Sequence, residues 1–389
     1  MHDNDPGAAM AVPPGPQRLD VEFTGSGSEY FRIWLVNLLL SAVTLSLYWP
    51  FAKARKLAYF HGNTRVGEQA LGFHGNPWKM LRGHVLILLF GIVYGISSRY
   101  SPTTALVAIT CFALLWPALW RASLQFRLGN TSWRGLRFAF DGSLGGAYLA
   151  MLPAVVPWVA LVSLGLFVPR ATPDADGVAA PDPRLGVALG VVTLLFLGAM
   201  PLALAWLKRY QHGHYVYANQ RSRLEAGAGA FYGYAFKVLG VSLLVSLVGG
   251  AMMAVSFVGA RAGGGGLGFA PVLGLMAFYG VFFVILVPFS QSRLQNLVWG
   301  HTRTPDLQCH SRLTLWPLAG LTLKNLLLTI VTLGLYWPFA AVAATRMRLQ
   351  AMSFDLDGDM GAWRSNLVAG APDATGDAAG DFFGIDLGL

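Results

Sequence analysis

The chain has 389 residues, of which 54% are hydrophobic and only 12% are charged. Soluble domains average about 25% charged residues, so this composition excludes a water-soluble globular protein. The net charge of +9 is explained better by basic residues that flank apolar spans than by nucleic-acid binding. Cys111 and Cys309 are the two cysteines, and they form neither a disulfide framework nor a CxxC metal motif.

The two ends of the chain are expected to lie outside one central membrane domain. Residues 1–18 lack a basic start and an apolar core, so they predict a flexible tail rather than a signal peptide. Residues 19–358 are predicted to form a single membrane domain with internal repeats. Residues 359–389 are acidic and predict a disordered tail.

The apolar segments predict an all-α polytopic membrane protein. Six middle segments approach the length of about 20 residues that a membrane helix needs, and we expect them to pair as three hairpins. These segments are residues 83–98, 104–120, 144–168, 185–207, 238–260 and 267–289. Alternating apolar residues at 19, 21 and 23 predict a short strand, and similar short strands are expected at 73–75, 138–142 and 352–358.

The distribution of basic residues predicts the orientation in the membrane. The three expected hairpin tips are residues 99–103, 169–184 and 261–266, and they hold 4 of the 28 Lys and Arg residues. The remaining 24 would then lie on the cytoplasmic side, as the positive-inside rule requires. Both termini, and the short strands, are therefore predicted to be cytoplasmic.

One sixteen-residue stretch occurs twice. Residues 37–52 read NLLLSAVTLSLYWPFA, and residues 325–340 read NLLLTIVTLGLYWPFA. The motif residues that we single out are Asn37, Thr44, Ser46, Tyr48, Trp49 and Pro50, with Asn325, Thr332, Gly334, Tyr336, Trp337 and Pro338 in the second copy. The two terminal segments, 31–51 and 321–341, either cross the membrane or re-enter it. Spanning would give a count of 19 basic residues inside and 9 outside, so the charge count favours two re-entrant or broken helices.

The motif TL-(G/S)-LYWPFA is followed by a basic helix that contains Arg55 and by Gly62-Asn63-Thr64. In this respect residues 19–358 resemble the YjgN family of bacterial inner-membrane proteins. Gly334 matches the glycine of the family motif, whereas Ser46 departs from it. The resemblance implies an inner-membrane location and no established biochemical activity.

A weaker repeat runs through the middle of the chain. Each of four prolines, at 50, 117, 201 and 288, is followed twelve residues later by a glycine. Two of these glycines begin the matching sequences Gly62-Asn63-Thr64 and Gly129-Asn130-Thr131. The repeat predicts a unit made of an apolar helix, a basic extension, a glycine and a short strand.

The sequence leaves two classes of function open. The six middle segments contain no Asp, Glu or Lys, which argues against a proton-driven carrier. A passive pore or permease for a small solute or lipid would be lined by the terminal motifs and the Gly-Asn-Thr turns. The alternative is a membrane scaffold that binds a cytoplasmic protein partner through its basic face. An enzyme is less favoured, because no nucleophile is paired with a base; no metal or cofactor is expected, and the partners are membrane lipids rather than nucleic acid.

The two asparagines of the doubled stretch lie on otherwise apolar segments. A buried amide in hydrocarbon is unfavourable by several kcal/mol unless it is hydrogen-bonded. We therefore expect the side chains of Asn37 and Asn325 to face protein, with Thr44 or Thr332 and the broken backbone among their candidate partners.

Overall fold

The computed structural model describes residues 17–167, 183–262, 269–357 and Trp363. The described chain is mostly helical. Its helices are α1 Gly27–Val43, α2 Trp49–Gly62, α3 Pro77–Tyr100, α4 Pro102–Gly129, α5 Leu144–Phe167, α6 Pro183–His212, α7 Ala228–Ala262, α8 Phe269–Trp299, α9 Leu315–Val331 and α10 Trp337–Gln350.

Short strands connect the helices at one end of the molecule. They are β1 Gln17–Phe23, β2 Thr64–Val66, β3 Gln69–Ala70, β4 Gly72–Phe73, β5 Thr131–Trp133, β6 Leu136–Phe140, β7 Tyr215–Tyr217, β8 Gln220–Arg221, β9 Arg223–Leu224, β10 Thr302–Arg303, β11 Leu307–Ser311 and β12 Met352–Leu356. The first strand begins at Gln17, so it includes the last two residues, 17 and 18, of the predicted N-terminal tail. The rest of that tail, and the C-terminal tail apart from Trp363, lie outside the described residues.

The helical membrane class predicted from composition is confirmed. Within the described residues, five helical segments are long and apolar enough to cross a membrane: Pro77–Tyr100, Thr103–Gly129, Gly186–His212, Ala228–Gly259 and Gly274–Trp299. Helix α5 begins with the apolar segment Leu144–Ala160. The predicted hairpin tips at 169–184 and 261–266 lie largely outside the described residues.

Five copies of one structural unit build the molecule. In each unit a strand leads into a pair of helices, and a second strand leaves that pair. The units are β1-α1-α2-β2, β4-α3-α4-β5, β6-α5-α6-β7, β9-α7-α8-β10 and β11-α9-α10-β12. The second helix of each unit contains the repeated proline. The sequence predicted four copies of this unit, and Pro338 of α10 marks a fifth.

The strands form a closed ring, which we call the strand ring. All pairings within it are antiparallel, and they run β3-β2-β1-β12-β11-β10-β9 in one sheet and β4-β5-β6-β7-β8 in the other. The two sheets are continuous because β3 and β4 are separated by Leu71 alone, and β8 and β9 by Ser222 alone. Each pair acts as one bent strand, so ten strands follow one another around the ring. The helices pack in the same order, with α10 against α1 completing the circle.

The two copies of the doubled stretch form helical hairpins at the first and last units. In the first hairpin, Thr24 precedes α1 and Asn63 follows α2, and the Thr24 N–H donates to the Asn63 carbonyl at 2.9 Å. The start of α1 and the end of α2 therefore both lie at the strand ring. The chain therefore reverses between the two helices. The turn leaves large apolar side chains on its outside: Leu45 is 85% exposed, and its counterpart Leu333 is 94% exposed.

Two consecutive residues in the left-handed conformation make each turn. Leu45 and Ser46 have φ values of 49° and 71°, and Leu333 and Gly334 have values of 50° and 92°. The Ser46 N–H donates to the Ser41 carbonyl at 2.8 Å, which satisfies one of the carbonyls left open at the helix end. A glycine adopts this conformation without the penalty that a side chain adds. The first turn, which carries serine there, is therefore strained relative to the second.

We expect Ser46→Gly to stabilise the protein and Gly334→Ala to destabilise it, each by about 1 kcal/mol. A Cβ at Gly334 would meet no atom within 4 Å, so the change there reports backbone strain and not a clash. Thermal unfolding of the purified protein in nanodiscs measures both effects. Equal melting temperatures for parent, Ser46→Gly and Gly334→Ala would contradict the prediction.

Candidate functional site

A cavity of about 640 Å³, which we call the hairpin cavity, lies between the first hairpin and α3. Asn37 from α1, with Trp49 and Pro50 from α2, line it on one side. His84 of α3 lines the other side, and its Nε2 atom donates to the Ser46 carbonyl at 3.0 Å. This hydrogen bond holds the turn of the hairpin against α3. Trp337, from the second hairpin, also reaches the cavity.

The charged groups around the hairpin cavity are all basic. Lys53 and Lys56 line it from α2, and Arg127 lines it from the end of α4. Among the described residues that line it there is no Asp or Glu. Concave sites lined by charge of one sign concentrate ions of the opposite sign. The hairpin cavity therefore provides a positive potential next to the apolar bundle.

Asn37 is buried, with 8% of its surface exposed, and its side chain crosses the hairpin. Its Nδ2 atom donates to the Ala52 carbonyl at 3.4 Å, and Asn325 makes the same bond to the Ala340 carbonyl at the same distance. The partner is thus the opposite helix, and not Thr44 or Thr332. The Oδ1 atoms of both asparagines are buried and have no partner among the described residues.

The two threonines that the sequence suggested as partners hold the turns instead. The Thr44 hydroxyl donates to the Leu40 carbonyl at 2.8 Å and accepts from the Tyr48 N–H at 3.0 Å. In the second copy, the Thr332 hydroxyl donates to the Leu328 carbonyl at 2.7 Å, and the Tyr336 N–H donates back to it at 2.9 Å. A threonine side chain thus bridges the helix end and the start of the next helix.

A second cavity, of about 460 Å³, lies inside the strand ring, and we call it the ring cavity. Each of the ten strands of the ring contributes to its wall, and the ends of α2, α4, α6 and α8 cover the side towards the bundle. The apolar wall residues include Leu19, Val66, Phe138 and Phe354. Trp133 and Tyr217 lie where β5 and β7 reach their turns, which is the end of the ring farthest from the helices.

Several polar groups on the wall of the ring cavity are hydrogen-bonded to the protein. The Ser222 hydroxyl donates to the His212 carbonyl at 2.7 Å, and the Thr302 hydroxyl donates to the Val298 carbonyl at 2.7 Å. The Tyr217 hydroxyl donates to the Trp133 carbonyl at 2.8 Å. Because these groups already have partners, they present mainly their carbon atoms to the cavity.

The hairpin cavity and the ring cavity adjoin each other. Leu57 of α2 and Arg127 of α4 line both of them, and we call this pair the neck. No other residue lines both cavities within the described parts of the chain. The neck therefore combines one apolar side chain with one guanidinium.

Trp363 packs at the far end of the strand ring. It is 5% exposed and packs against Trp133 and Tyr217, with ring centroids 5.9 Å away in both cases. Leu19 and Leu356 belong to the same buried cluster. Trp363 thus lies in the segment that the sequence predicted as a disordered tail, yet it packs against two wall residues of the ring cavity at the end opposite the neck.

The Gly-Asn-Thr turns join helices to strands. The Asn63 and Asn130 side chains donate to the carbonyls of Tyr59 and Phe126, at 2.9 and 2.8 Å. The next residue does the same with its hydroxyl: Thr64 donates to Phe60 at 2.7 Å, and Thr131 donates to Arg127 at 2.7 Å. Of these four residues only Thr131 lines a cavity.

The structure gathers some of the predicted site residues and separates others. Asn37, Trp49, Pro50 and Trp337 meet at the hairpin cavity, and Thr131 lies at the ring cavity. The remaining predicted residues line neither of the two cavities; they are Thr44, Ser46, Tyr48, Arg55, Asn63, Thr64, Asn130, Asn325, Thr332, Gly334, Tyr336 and Pro338. The Arg55 guanidinium lies 5.6 Å from the centroid of the Tyr48 ring.

Three residues of the cavity walls were not predicted from the sequence: Arg127, Trp133 and Tyr217. A signal for Trp133 was present, since Thr131-Ser132-Trp133 is followed by the two-residue turn Arg134-Gly135. Arg134 and Gly135 have φ values of 51° and 83°, as such turns require. Arg127 had no comparable signal, because basic residues are frequent in all of the helical extensions.

Comparisons with known proteins place the chain among bacterial membrane proteins. A family model described as bacterial protein of unknown function (DUF898) matches residues 18–382. The chain is 24% identical over 339 residues to the inner membrane protein YjgN of Salmonella typhimurium strain LT2, covering 82% of this chain and 84% of the relative. It is also 27% identical over 130 residues to YjgN of Escherichia coli O157:H7, covering 32% of each protein. No solved structure matches the chain. The resemblance carried by the doubled stretch is therefore confirmed.

We expect Asn37→Leu and Asn325→Leu each to destabilise the protein by about 1 kcal/mol, because the hydrogen bond across the hairpin is lost. Thermal unfolding in nanodiscs measures the change. Leu39→Ala and Leu327→Ala are matched controls, since both leucines lie on the outside of the hairpins, 58% and 54% exposed. If the Asn variants melt like the parent, the cross-hairpin bond contributes nothing to stability.

Cys309 lines the ring cavity, and burial raises the pKa of its thiol from 9.0 to about 12. At pH 8 its reactive thiolate is therefore about a thousandfold scarcer than that of an ordinary cysteine. In a Cys111→Ser variant we expect alkylation by iodoacetamide to accelerate about tenfold per pH unit well past pH 9. The thiol of the unfolded protein loses its proton near pH 9, whereas the thiol of the folded protein keeps it up to about pH 12. The free energy of unfolding therefore falls as the pH rises from 9 towards 12. A plateau near pH 9 in the native protein would contradict the prediction.

Proposed function

The chain belongs to the DUF898 family of bacterial proteins, and the relatives described above are inner membrane proteins. We propose that it is a passive pore or permease for a small solute or lipid. The relatives and the apolar helices support a multi-pass protein of the inner membrane.

The proposed topology has six spans in three hairpins, with the two terminal hairpins re-entering the membrane from the cytoplasmic side. The strand ring and both termini would then be cytoplasmic. The excess of basic residues outside the predicted tips supports this orientation. The exposed leucines at the turns, Leu45 and Leu333, support insertion of the hairpins into hydrocarbon.

The observation that carries the proposal is the contact between the two cavities at the neck. A route would lead from the hairpin cavity, past Leu57 and Arg127, into the ring cavity. A scaffold needs no such internal space and is served better by a close-packed interior. The proposed transport is passive, because the predicted middle spans contain no Asp, Glu or Lys that could couple it to protons.

Solute flux into proteoliposomes tests the proposal. Stopped-flow light scattering would compare glycerol, choline and methanesulfonate, which are neutral, cationic and anionic, in vesicles with and without the purified protein. We expect the protein to accelerate at least one of them. Leu57→Trp should reduce that flux about tenfold or more, because the larger side chain obstructs the neck.

The matched control is Leu39→Trp, which places the same side chain on the exposed face of the first hairpin. It should retain the flux of the parent. Unchanged flux in Leu57→Trp would show that solutes do not pass the neck. If a folded, monodisperse protein accelerates neither these three solutes nor the exchange of a fluorescent lipid between the two leaflets, the scaffold alternative replaces the permease.

A further inference from the structure

We infer that the ring cavity binds the alkyl chain of an anionic amphiphile, a long-chain carboxylate or phosphate ester, with its headgroup at Arg127. The inference names a ligand class for the site described above. If this amphiphile is also the transported substrate, the inference rests on the proposed function. Binding of the amphiphile to the ring cavity can be tested without any assumption about transport.

The wall of the ring cavity determines what its occupant must be. Its lining is predominantly apolar and aromatic, and hydroxyls of the wall such as Ser222, Thr302 and Tyr217 are already bonded to protein carbonyls. Few polar groups remain to hold a sugar or an ion inside. The volume of about 460 Å³ falls in the range of about 300–1,000 Å³ that is typical of small-molecule sites. An alkyl chain fits both the chemistry and the size.

The charge at the neck determines what the other end of the ligand must be. Arg127 lies at the boundary of the ring cavity, and Lys53, Lys56 and His84 line the adjoining hairpin cavity. Among the described residues that line the two cavities there is no carboxylate that would repel an anion. A guanidinium can bind the two oxygens of a carboxylate or phosphate at once. The headgroup is therefore an anion with several oxygens.

The ends of the ring cavity determine how the ligand is oriented. Trp363 packs on Trp133 and Tyr217 at the far end. Arg303 also lines the ring cavity, but its guanidinium is paired with the Glu225 carboxylate at 3.2 Å, so Arg127 at the neck is the cation that we assign to the headgroup. The outer face of β1 carries Arg18, Asp20 and Glu22, all exposed, so this side of the ring lies in water. A chain inside the ring is thus separated from the bilayer, and labelling of the ring interior cannot come from bulk lipid.

Photolabelling of the full-length protein in nanodiscs tests the inference. The probe is hexadecanoic acid with a diazirine near the end of its chain, and labelled peptides are located by mass spectrometry. We expect label on the strands that line the ring cavity, removed by excess octanesulfonate. The corresponding diazirine alcohol, which lacks the charge, should label these strands about tenfold less.

Variants separate binding from structure. Arg127→Gln should weaken labelling of the ring by the acid about tenfold or more, and Arg127→Lys should restore part of it. Arg137→Gln is the matched control, because Arg137 is exposed on β6 and lines neither cavity. Val66→Phe, which fills the ring cavity, should reduce labelling while thermal unfolding shows that the protein remains folded.

Label confined to the lipid-facing helices, or ring label that is equal for acid and alcohol, would overturn the inference. A diazirine-bearing phosphatidylglycerol distinguishes a membrane lipid from a free acid as the source of the chain. If inorganic phosphate competes with the probe and octanesulfonate does not, the site binds an anion without an alkyl chain, which also contradicts the inference. Binding without flux would leave the inference standing and refute the permease, and flux without binding would do the reverse.

Discussion

The pairing of the first described strand with the last is the interaction on which the architecture depends. β1 and β12 are antiparallel, with Gln17 opposite Leu356 and Asp20 opposite Ser353. Without this pairing both strands would be open edges, and the ring cavity would lack part of its wall. The helices next to this junction approach closely: a Cβ on Gly27 would clash with the Phe339 ring, so a larger residue fits there only if that ring moves. The Arg346 side chain also donates to the Gly25 carbonyl at 2.7 Å.

The ring cavity is built from a helix–strand junction that recurs in successive units, and not from one local segment of the chain. Asn63 and Asn130 cap their helices with a side-chain N–H, and His214 and His301 place a ring nitrogen 2.8 Å from the carbonyl four residues earlier. Amide and imidazole thus occupy the same place at the helix end. Four of the five units thus leave their second helix through the same kind of junction, and the strands that follow line the ring cavity.

Composition and hydrophobic runs were sufficient to predict the membrane class, because long apolar helices are specified locally. The doubled stretch marked the two terminal hairpins for the same reason, since a broken helix with Pro and Thr is a local feature. Alternation predicted β1, β6 and β12, but strands of two or three residues such as Thr131–Trp133 are too short to show a period. The fifth unit was missed because Gln350 stands where four other units have glycine.

The candidate site could be predicted only in part. Asn37 and Trp49 were found because they belong to a conspicuous motif, and they line the hairpin cavity. Arg127 and Leu57 lie at the ends of different helices, and their proximity depends on how the units pack around the ring. No spacing along the sequence encodes that contact. Residues that come together only through packing between units therefore cannot be predicted from patterns along the sequence.

Closure of the ring by its two terminal strands has a consequence for biosynthesis. The ribosome makes β1 before the ten described helices and makes β12 after them. The first strand must therefore wait with an unpaired edge while nearly the whole chain is translated and inserted. Each helical unit can enter the membrane as it emerges, but the ring closes in one late step. A chain that terminates early would keep its strand edges open and would be exposed to proteases and to pairing with other nascent chains.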